Sequence, residues 1–170
     1  SASANQHEEA MRALGEFLGF LSSRPEQDED NGSTLDVLWS NESTKQGILL
    51  ELKTKKKLDG AINIDDVGQG FNHLEWASNA LKDQVVLGLI FVSVCAKRSA
   101  ESQPSQEMWL SALAPFRQLY EDYNQMLLAV QRLTPAQRVI EMQAIAQRAE
   151  WQPEAIFTKL RGKRLSTVQC

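Results

Sequence analysis

The sequence contains few of the residues from which disulfide frameworks and zinc sites are built. Its two cysteines, Cys95 and Cys170, are too few for a disulfide framework. With only two histidines, His7 and His73, no zinc site of the Cys/His type is expected. A metal ion bound by this chain would therefore need oxygen ligands.

Long apolar runs are also missing. The longest nearly unbroken one covers residues 85–96, which is too short to span a bilayer. The N-terminus has neither the basic region nor the apolar core of a signal peptide. These features predict a soluble, cytoplasmic protein that does not associate with membranes. Because the sequence starts with Ser-Ala-Ser rather than Met, we also expect it to be either trimmed at its N-terminus or a fragment of a longer protein.

Glycine and proline are sparse, at 9 and 5 residues in a chain of 170, which excludes collagen-like and low-complexity classes. The hydrophobic content of 42% predicts a folded chain with a single core. The formal net charge of −4 argues against avid nonspecific binding of nucleic acid. An enzyme whose acidic residues gather around a metal ion is compatible with that charge.

Hydrophobic periodicity predicts an α/β core over the first hundred residues. Apolar residues recur at helical spacing in two segments, and they alternate or run together in three others, which predicts strands. The predicted elements are a helix over 6–21, strands over 34–39 and 47–54, a helix that Asp65 or Asp66 caps and that continues toward residue 81, and a buried strand over 85–95. This order predicts a mixed sheet with a crossover helix packed on one face.

Three charged residues on the first two predicted strands form a candidate metal site. Asp36 lies on the polar face of one strand, and Glu51 and Lys53 share a face of the next because they are two residues apart. At one edge of the sheet the carboxylates would bind Mg²⁺ or Mn²⁺, and Lys53 would hold the attacking water or a phosphate. The alternative is that all three are ordinary solvent-facing residues, with Glu51 and Lys53 as a surface pair.

The last third of the chain is predicted to be helical. Apolar spacing predicts a helix over 109–130 that Pro115 breaks or kinks, and further helices begin at Pro135 and Pro153. The last two helices faintly resemble a helix-turn-helix, and the alternatives are packing on the core or homodimer formation. The chain closes on four basic residues, Lys159, Arg161, Lys163 and Arg164. These residues either contact phosphates or form a solvated end.

The order of the elements and the positions of the charged residues resemble the PD-(D/E)xK phosphodiesterases, the restriction-endonuclease-like superfamily, over roughly residues 5 to 96. In that family a helix, three antiparallel strands, a second helix and a further strand form the core. The motif Asp lies on the second strand and the Glu-x-Lys on the third, which match Asp36 and Glu51-Leu52-Lys53. The Pro of the motif name is absent, since Leu35 precedes Asp36, and family members tolerate this change.

Two helical positions extend the resemblance. Glu8, followed about three turns later by Gly19-Phe20, matches the Glu of the family's opening helix. Gln69 matches a Gln that faces the site from the second helix. The resemblance implies a nuclease core over 1–98 and a helical extension over 105–170 that packs on the core or contacts DNA or a partner protein.

The function implied by the resemblance is that of a Mg²⁺- or Mn²⁺-dependent endonuclease that hydrolyses DNA, with RNA left open. The metal ligands would be Asp36, Glu51 and the Leu52 backbone carbonyl, with Glu8 as a ligand of a second metal or an aid to Lys53. Lys53 would position the nucleophile, and Gln69 would orient groups nearby. The alternative is a non-catalytic nucleic-acid-binding or scaffolding module of a restriction or helicase assembly.

Overall fold

A computed structural model describes residues 3–27 and 33–170 of the chain. The fold is α/β, as the sequence predicts, with a mixed six-stranded sheet between layers of helices. Within those residues, no helix combines the length and apolar character needed to cross a membrane.

The described elements follow one another with short connections. The helices are α1 (Ala4–Phe17), α2 (Ile64–Ala80), α3 (Ala114–Gln131), α4 (Pro135–Ala146) and α5 (Pro153–Leu160). The strands are β1 (Leu21–Ser23), β2 (Val37–Asn41), β3 (Gln46–Leu52), β4 (Ala61–Ile62), β5 (Val85–Val92), β6 (Lys97–Arg98), β7 (Met108–Ser111) and β8 (Lys163–Arg164). Single-turn 3₁₀ helices cover Pro25–Gln27, Ala149–Trp151 and Leu165–Thr167.

The main sheet has the strand order β1-β2-β3-β5-β7-β8. Its first three strands are antiparallel neighbours, whereas β5 and β7 run parallel to β3 and β8 runs antiparallel to β7. A parallel pair such as β3 and β5 needs a long crossover, and α2 supplies it. The end of β3, the start of β2 and the start of α2 therefore meet at one edge of the sheet.

Both faces of the sheet are buried, because alternate side chains of each central strand enter different clusters. On one face, Ile48 and Leu50 of β3 pack with residues of α1, α3 and α5. On the other face, Leu49 packs with residues of α2 such as Val67 and Ala77. The candidate residues Glu51 and Lys53 continue the α2 face, as the alternation of the sequence predicts.

The predicted helix boundaries need two corrections. The opening helix ends at Phe17 rather than at residue 21, because Gly19 adopts a φ of 90° and the chain then turns into β1. Asn63, not Asp65 or Asp66, caps α2: its side-chain oxygen accepts a hydrogen bond of 2.9 Å from the backbone N–H of Asp66.

The predicted strands also shift by a few residues. Strand β2 begins at Val37, so Asp36 precedes the strand instead of lying within it. A bend at Asp36 puts Leu35 into the cluster on the α2 face, although the alternation predicts it beside Val37. Strand β3 ends at Leu52, and Lys53 follows it.

The prediction of a helix from residue 109 is wrong at its start. Trp109 lies in β7, where it pairs with Ile90 of β5, and α3 begins only at Ala114. Pro115 occupies the first turn of α3, so it marks a break in the apolar run and not a kink within a helix; no intrahelical bond needs a backbone N–H there. Apolar residues at intervals of three or four positions are compatible with one long helix. They are equally compatible with a buried strand followed by a helix.

The closing segment is packed against the fold, although the side chains of Lys159, Lys163 and Arg164 are exposed. The chain turns at Gly162, whose φ is 61°, and then pairs with β7 as β8. The guanidinium carbons of Arg161 and Arg164 lie 4.3 and 4.9 Å from the ring centroid of Trp109. Residues 105–170 therefore contribute two strands to the same sheet as the first part of the chain.

The close packing of α1 against Trp39 gives a testable expectation for stability. A Cβ at Gly15 would lie 2.4 Å from the indole Nε1 of Trp39, which donates a hydrogen bond of 3.0 Å to the Met11 carbonyl. We expect Gly15→Ala to lower the free energy of unfolding by about 1–3 kcal/mol, because α1 must move away. Chemical denaturation measures the change.

Gly68→Ala is the matched control. Gly68 also lies inside a helix, but a Cβ there would meet no atom within 4 Å. Because alanine is the better helix former, this variant should be up to about 1 kcal/mol more stable than the wild type. Equal effects of the two substitutions would contradict the packing of α1 described above.

Candidate active site

A polar cleft of about 470 Å³ opens at the edge of the sheet where β3 ends. The starts of α1 and α2 and the loop after β3 contribute to its wall. The residues that line it are Ala4, Glu8, Asp36, Glu51, Leu52, Lys53, Thr54, Lys55, Lys56 and Asp66. Of the residues predicted for the site, the cleft wall brings together Glu8, Asp36, Glu51, Leu52 and Lys53, and Gln69 contacts one of them.

Asp36 is held against β3 through its carboxylate. Its Oδ2 accepts a hydrogen bond of 2.5 Å from the backbone N–H of Leu52. The residue is buried, at only 8% exposed. Burial, with the nearby Glu51 carboxylate, raises the pKa of Asp36 to about 8. No ion pair within the described residues involves Asp36, so its carboxylate is the least compensated in the cleft once it ionises.

Glu51 and Lys53 form a buried pair, which excludes the alternative of a surface ladder. The Lys53 ammonium lies 2.9 Å from Glu51 Oε1, and Glu51 is 2% exposed. Burial alone would lower the pKa of Lys53, but the carboxylates of Glu51 and Asp66 outweigh burial and raise it. Lys53 is therefore a fixed cation and not a proton acceptor at neutral pH.

The start of α2 holds the Lys53 ammonium from the opposite side. Gln69 Oε1 accepts a hydrogen bond of 2.7 Å from Lys53 Nζ, and Asp66 Oδ1 lies 3.3 Å from the same atom. Lys56 reaches Asp66 Oδ2 at 2.5 Å. Burial alone would raise the pKa of Asp66, but Lys56, the Asn63 N–H and Lys53 together lower it.

The sequence prediction assigned Asp66 only a capping role and missed its contact with Lys53. The signal was available, because Asp66, Gln69 and His73 are three and four residues apart and so share one face of a helix. His73 Nε2 lies 3.0 Å from Glu51 Oε2, and both side chains are almost completely buried. The α2 face thus positions Lys53 and Glu51 together.

Glu8 is bound to an arginine and not to Lys53. The Arg24 guanidinium donates to Glu8 Oε2 through Nη2, and the same nitrogen lies 2.6 Å from Glu26 Oε1. Burial and the Glu26 carboxylate raise the pKa of Glu8, whereas Arg24 lowers it, and the net direction is upward. Neither Arg24 nor Glu26 was predicted, because Arg24 follows β1 and Glu26 lies in a single-turn 3₁₀ helix, in a segment whose sequence has no periodic pattern.

The cleft has the chemistry of a site for a hard divalent cation. Such ions prefer carboxylate and carbonyl oxygens, which Asp36, Glu51 and the Leu52 backbone provide. Glu51 Oε2 is buried and makes no hydrogen bond of good geometry within the described residues, although His73 Nε2 lies 3.0 Å away, and a buried oxygen in that state is costly unless a cation or donor satisfies it. Asp36 takes part in no ion pair within the described residues, so the oxygens of Asp36, Glu51 and Leu52 fit Mg²⁺ or Mn²⁺.

A second cluster of carboxylate oxygens lies beside Glu51 and shares Asp36 with the first site. One carboxylate oxygen from each of Glu8, Glu26 and Asp36 falls within 4.8 Å of the others, which is close enough for a shared cation. Two of these three carboxylates are already bound by Arg24. The cluster of Glu8, Glu26 and Asp36 therefore already contains a positive charge, which is the guanidinium of Arg24.

Comparisons of this chain with protein-family models, with curated proteins and with solved structures found no match. The functional argument therefore depends on the geometry and chemistry of the cleft itself.

Proposed function

We propose that this protein is a divalent-metal-dependent nuclease of the PD-(D/E)xK type that hydrolyses phosphodiester bonds of DNA. The observation that carries the proposal is the convergence of Asp36, Glu51 and Lys53 in one cleft, with both carboxylates buried. The order of α1, β1 to β3, α2 and β5 supports it, because this is the order of elements in that family once the two-residue β4 is set aside.

Each residue has a distinct task in this proposal. Asp36, Glu51 and the Leu52 carbonyl would hold Mg²⁺ or Mn²⁺, which when bound would lower the pKa of a water and neutralise charge on the phosphate. Lys53 directs its ammonium at the nucleophile or the scissile phosphate and stabilises negative charge that develops in the transition state. Gln69 fixes the direction of that ammonium through their 2.7 Å hydrogen bond.

Incubation of the purified chain with plasmid DNA tests the proposal. Cleavage should require Mg²⁺ or Mn²⁺ and should stop when a chelator is added. A parallel reaction with single-stranded RNA of mixed sequence distinguishes the two nucleic acids. DNA binding without cleavage in any of these metals would favour the non-catalytic binding module instead.

The loop after β3 offers a contact for the DNA backbone. Lys56 is engaged with Asp66, whereas Lys55 is exposed and lines the cleft. A lysine that contacts one phosphate contributes about 0.9 to the slope of log affinity against log salt concentration. We expect Lys55→Ala to weaken DNA binding and to reduce that slope by roughly one phosphate contact.

Fluorescence anisotropy in Ca²⁺ at several salt concentrations measures both quantities. Lys82→Ala is the control, because Lys82 is exposed and lies just after α2, at the end of that helix far from the cleft. A salt slope that is the same for Lys55→Ala and for the wild type would remove Lys55 from the DNA interface.

A further inference from the structure

Five carboxylates surround the cleft, and their partners are unevenly distributed. They belong to Glu8, Glu26, Asp36, Glu51 and Asp66. Lys53 and Lys56 pair with the last two, and Arg24 pairs with the first two. Asp36 takes part in no ion pair of the described residues. Lys55 also lines the cleft, so with every carboxylate ionised and His73 neutral, five negative and four positive charges leave a net charge of −1, which one divalent ion more than neutralises.

Arg24 is fixed more firmly than an ordinary surface arginine. Its side chain is 5% exposed, and its guanidinium contacts three side chains. Nη2 reaches Glu8 and Glu26, and Nη1 donates a hydrogen bond of 2.5 Å to Asn5 Oδ1. Because a guanidinium stays protonated at any working pH, this charge is permanent.

The position of Arg24 bears directly on a second metal ion. The oxygens of Glu8, Glu26 and Asp36 are close enough to share a cation, but the Arg24 guanidinium already binds the Glu8 and Glu26 carboxylates. A divalent ion at the same carboxylates would lie beside a buried positive charge, where repulsion is screened poorly.

We propose that Arg24 serves as a built-in cation in place of a second metal ion, so that the cleft binds a single divalent ion at Asp36 and Glu51. This inference rests on the proposed metal-dependent function. Arg24 is a positioning residue in this scheme: it holds the Glu8 and Glu26 carboxylates and has no contact with the substrate. Its removal should open the second oxygen group to a metal.

Counting bound Mn²⁺ tests the inference without any cleavage assay. Equilibrium dialysis and calorimetry of the full chain with Mn²⁺ alone should give one ion per chain for the wild type. Arg24→Met, which keeps the length but removes the charge, should bind two. Arg24→Lys, which restores a cation, should return the count to one.

A second variant keeps the test decisive if Arg24→Met does not fold. Glu8→Gln leaves the Arg24 contact with Glu26 in place, and it should bind one Mn²⁺ with nearly wild-type affinity because Glu8 is not a ligand of that ion. Loss of a true ligand or of its supporting partner lowers metal affinity by about tenfold or more, so a loss of that size in Glu8→Gln would overturn the inference.

The stoichiometries separate this inference from the proposed function. Two Mn²⁺ ions in the wild type, or one in a folded Arg24→Met variant, would overturn the role of Arg24 and leave a metal-dependent nuclease intact. No bound Mn²⁺ in the wild type would overturn both.

Discussion

Lys53→Ala should lose at least about 10²-fold in single-turnover cleavage and still bind Mn²⁺ at least as tightly as the wild type. The two effects separate because the ammonium acts on the water or phosphate, whereas oxygens hold the metal. Its removal leaves the Glu51 and Asp66 carboxylates without their shared cation. A metal ion should therefore be attracted more strongly, and its stabilising effect on the fold should increase.

The stability of this variant must be measured alongside its activity. Lys53 is 14% exposed in its side chain, and breaking a buried pair costs about 3–5 kcal/mol when the partner remains charged. Single-turnover cleavage and Mn²⁺ calorimetry should therefore be run below the melting temperature of the variant. Lys82→Ala removes an equal charge far from the cleft and should keep the wild-type rate. A folded Lys53→Ala protein that cuts as fast as the wild type would refute the role of Lys53.

The sheet-forming core was predictable because its patterns are short and local. Alternation over 47–54 predicted that Glu51 and Lys53 share a face, and the structure confirms this placement on the α2 side. The strand at 109 was not predictable in the same way, because its role depends on pairing with Ile90, which is distant in sequence. Periodicity reports which residues are buried but not which strand they pair with.

In the candidate site, too, the contacts set by local spacing were predictable, whereas those between residues distant in sequence were not. Asp66 and Gln69 meet Lys53 from a helix face that spacing alone defines. Arg24 reaches Glu8 across sixteen residues from an irregular segment, and no sequence pattern links the two. Arg24 can therefore be identified as the cation that pairs with Glu8 of α1 only from the folded structure.

Asp36→Asn should abolish the stabilisation of the fold by bound Mn²⁺. It should also make the metal-free protein more stable than the wild type at alkaline pH. In the wild type the pKa of Asp36 is about 8, against an ordinary value of 3.8. Between those two values the folded protein keeps a proton that the unfolded chain has released, so the stability of the metal-free wild type falls as pH rises through that window. Asparagine has no such proton, and its carbonyl oxygen can still accept the Leu52 N–H.

Thermal melts at pH 6 and pH 9, with and without millimolar Mn²⁺, measure both the stabilisation by metal and the pH dependence of stability. Without metal at pH 9, the variant should exceed the wild type by about 1–3 kcal/mol, or roughly 2–4 °C in melting temperature for each kcal/mol. Mn²⁺ at about 100 times its dissociation constant should stabilise the wild type by about 2.7 kcal/mol and leave Asp36→Asn unchanged.

Asp65→Asn is the matched control for this substitution. Asp65 is an exposed acid in the first turn of α2 and lies outside the cleft wall, so its loss removes the same charge without removing a metal ligand. It should keep the full response to Mn²⁺ and the pH dependence of the wild type. If Asp36→Asn responded to Mn²⁺ as Asp65→Asn does, Asp36 would not be a metal ligand. The buried carboxylate would then be a strained structural residue, because the cost of its ionisation at pH 9 would remain with no cation to offset it.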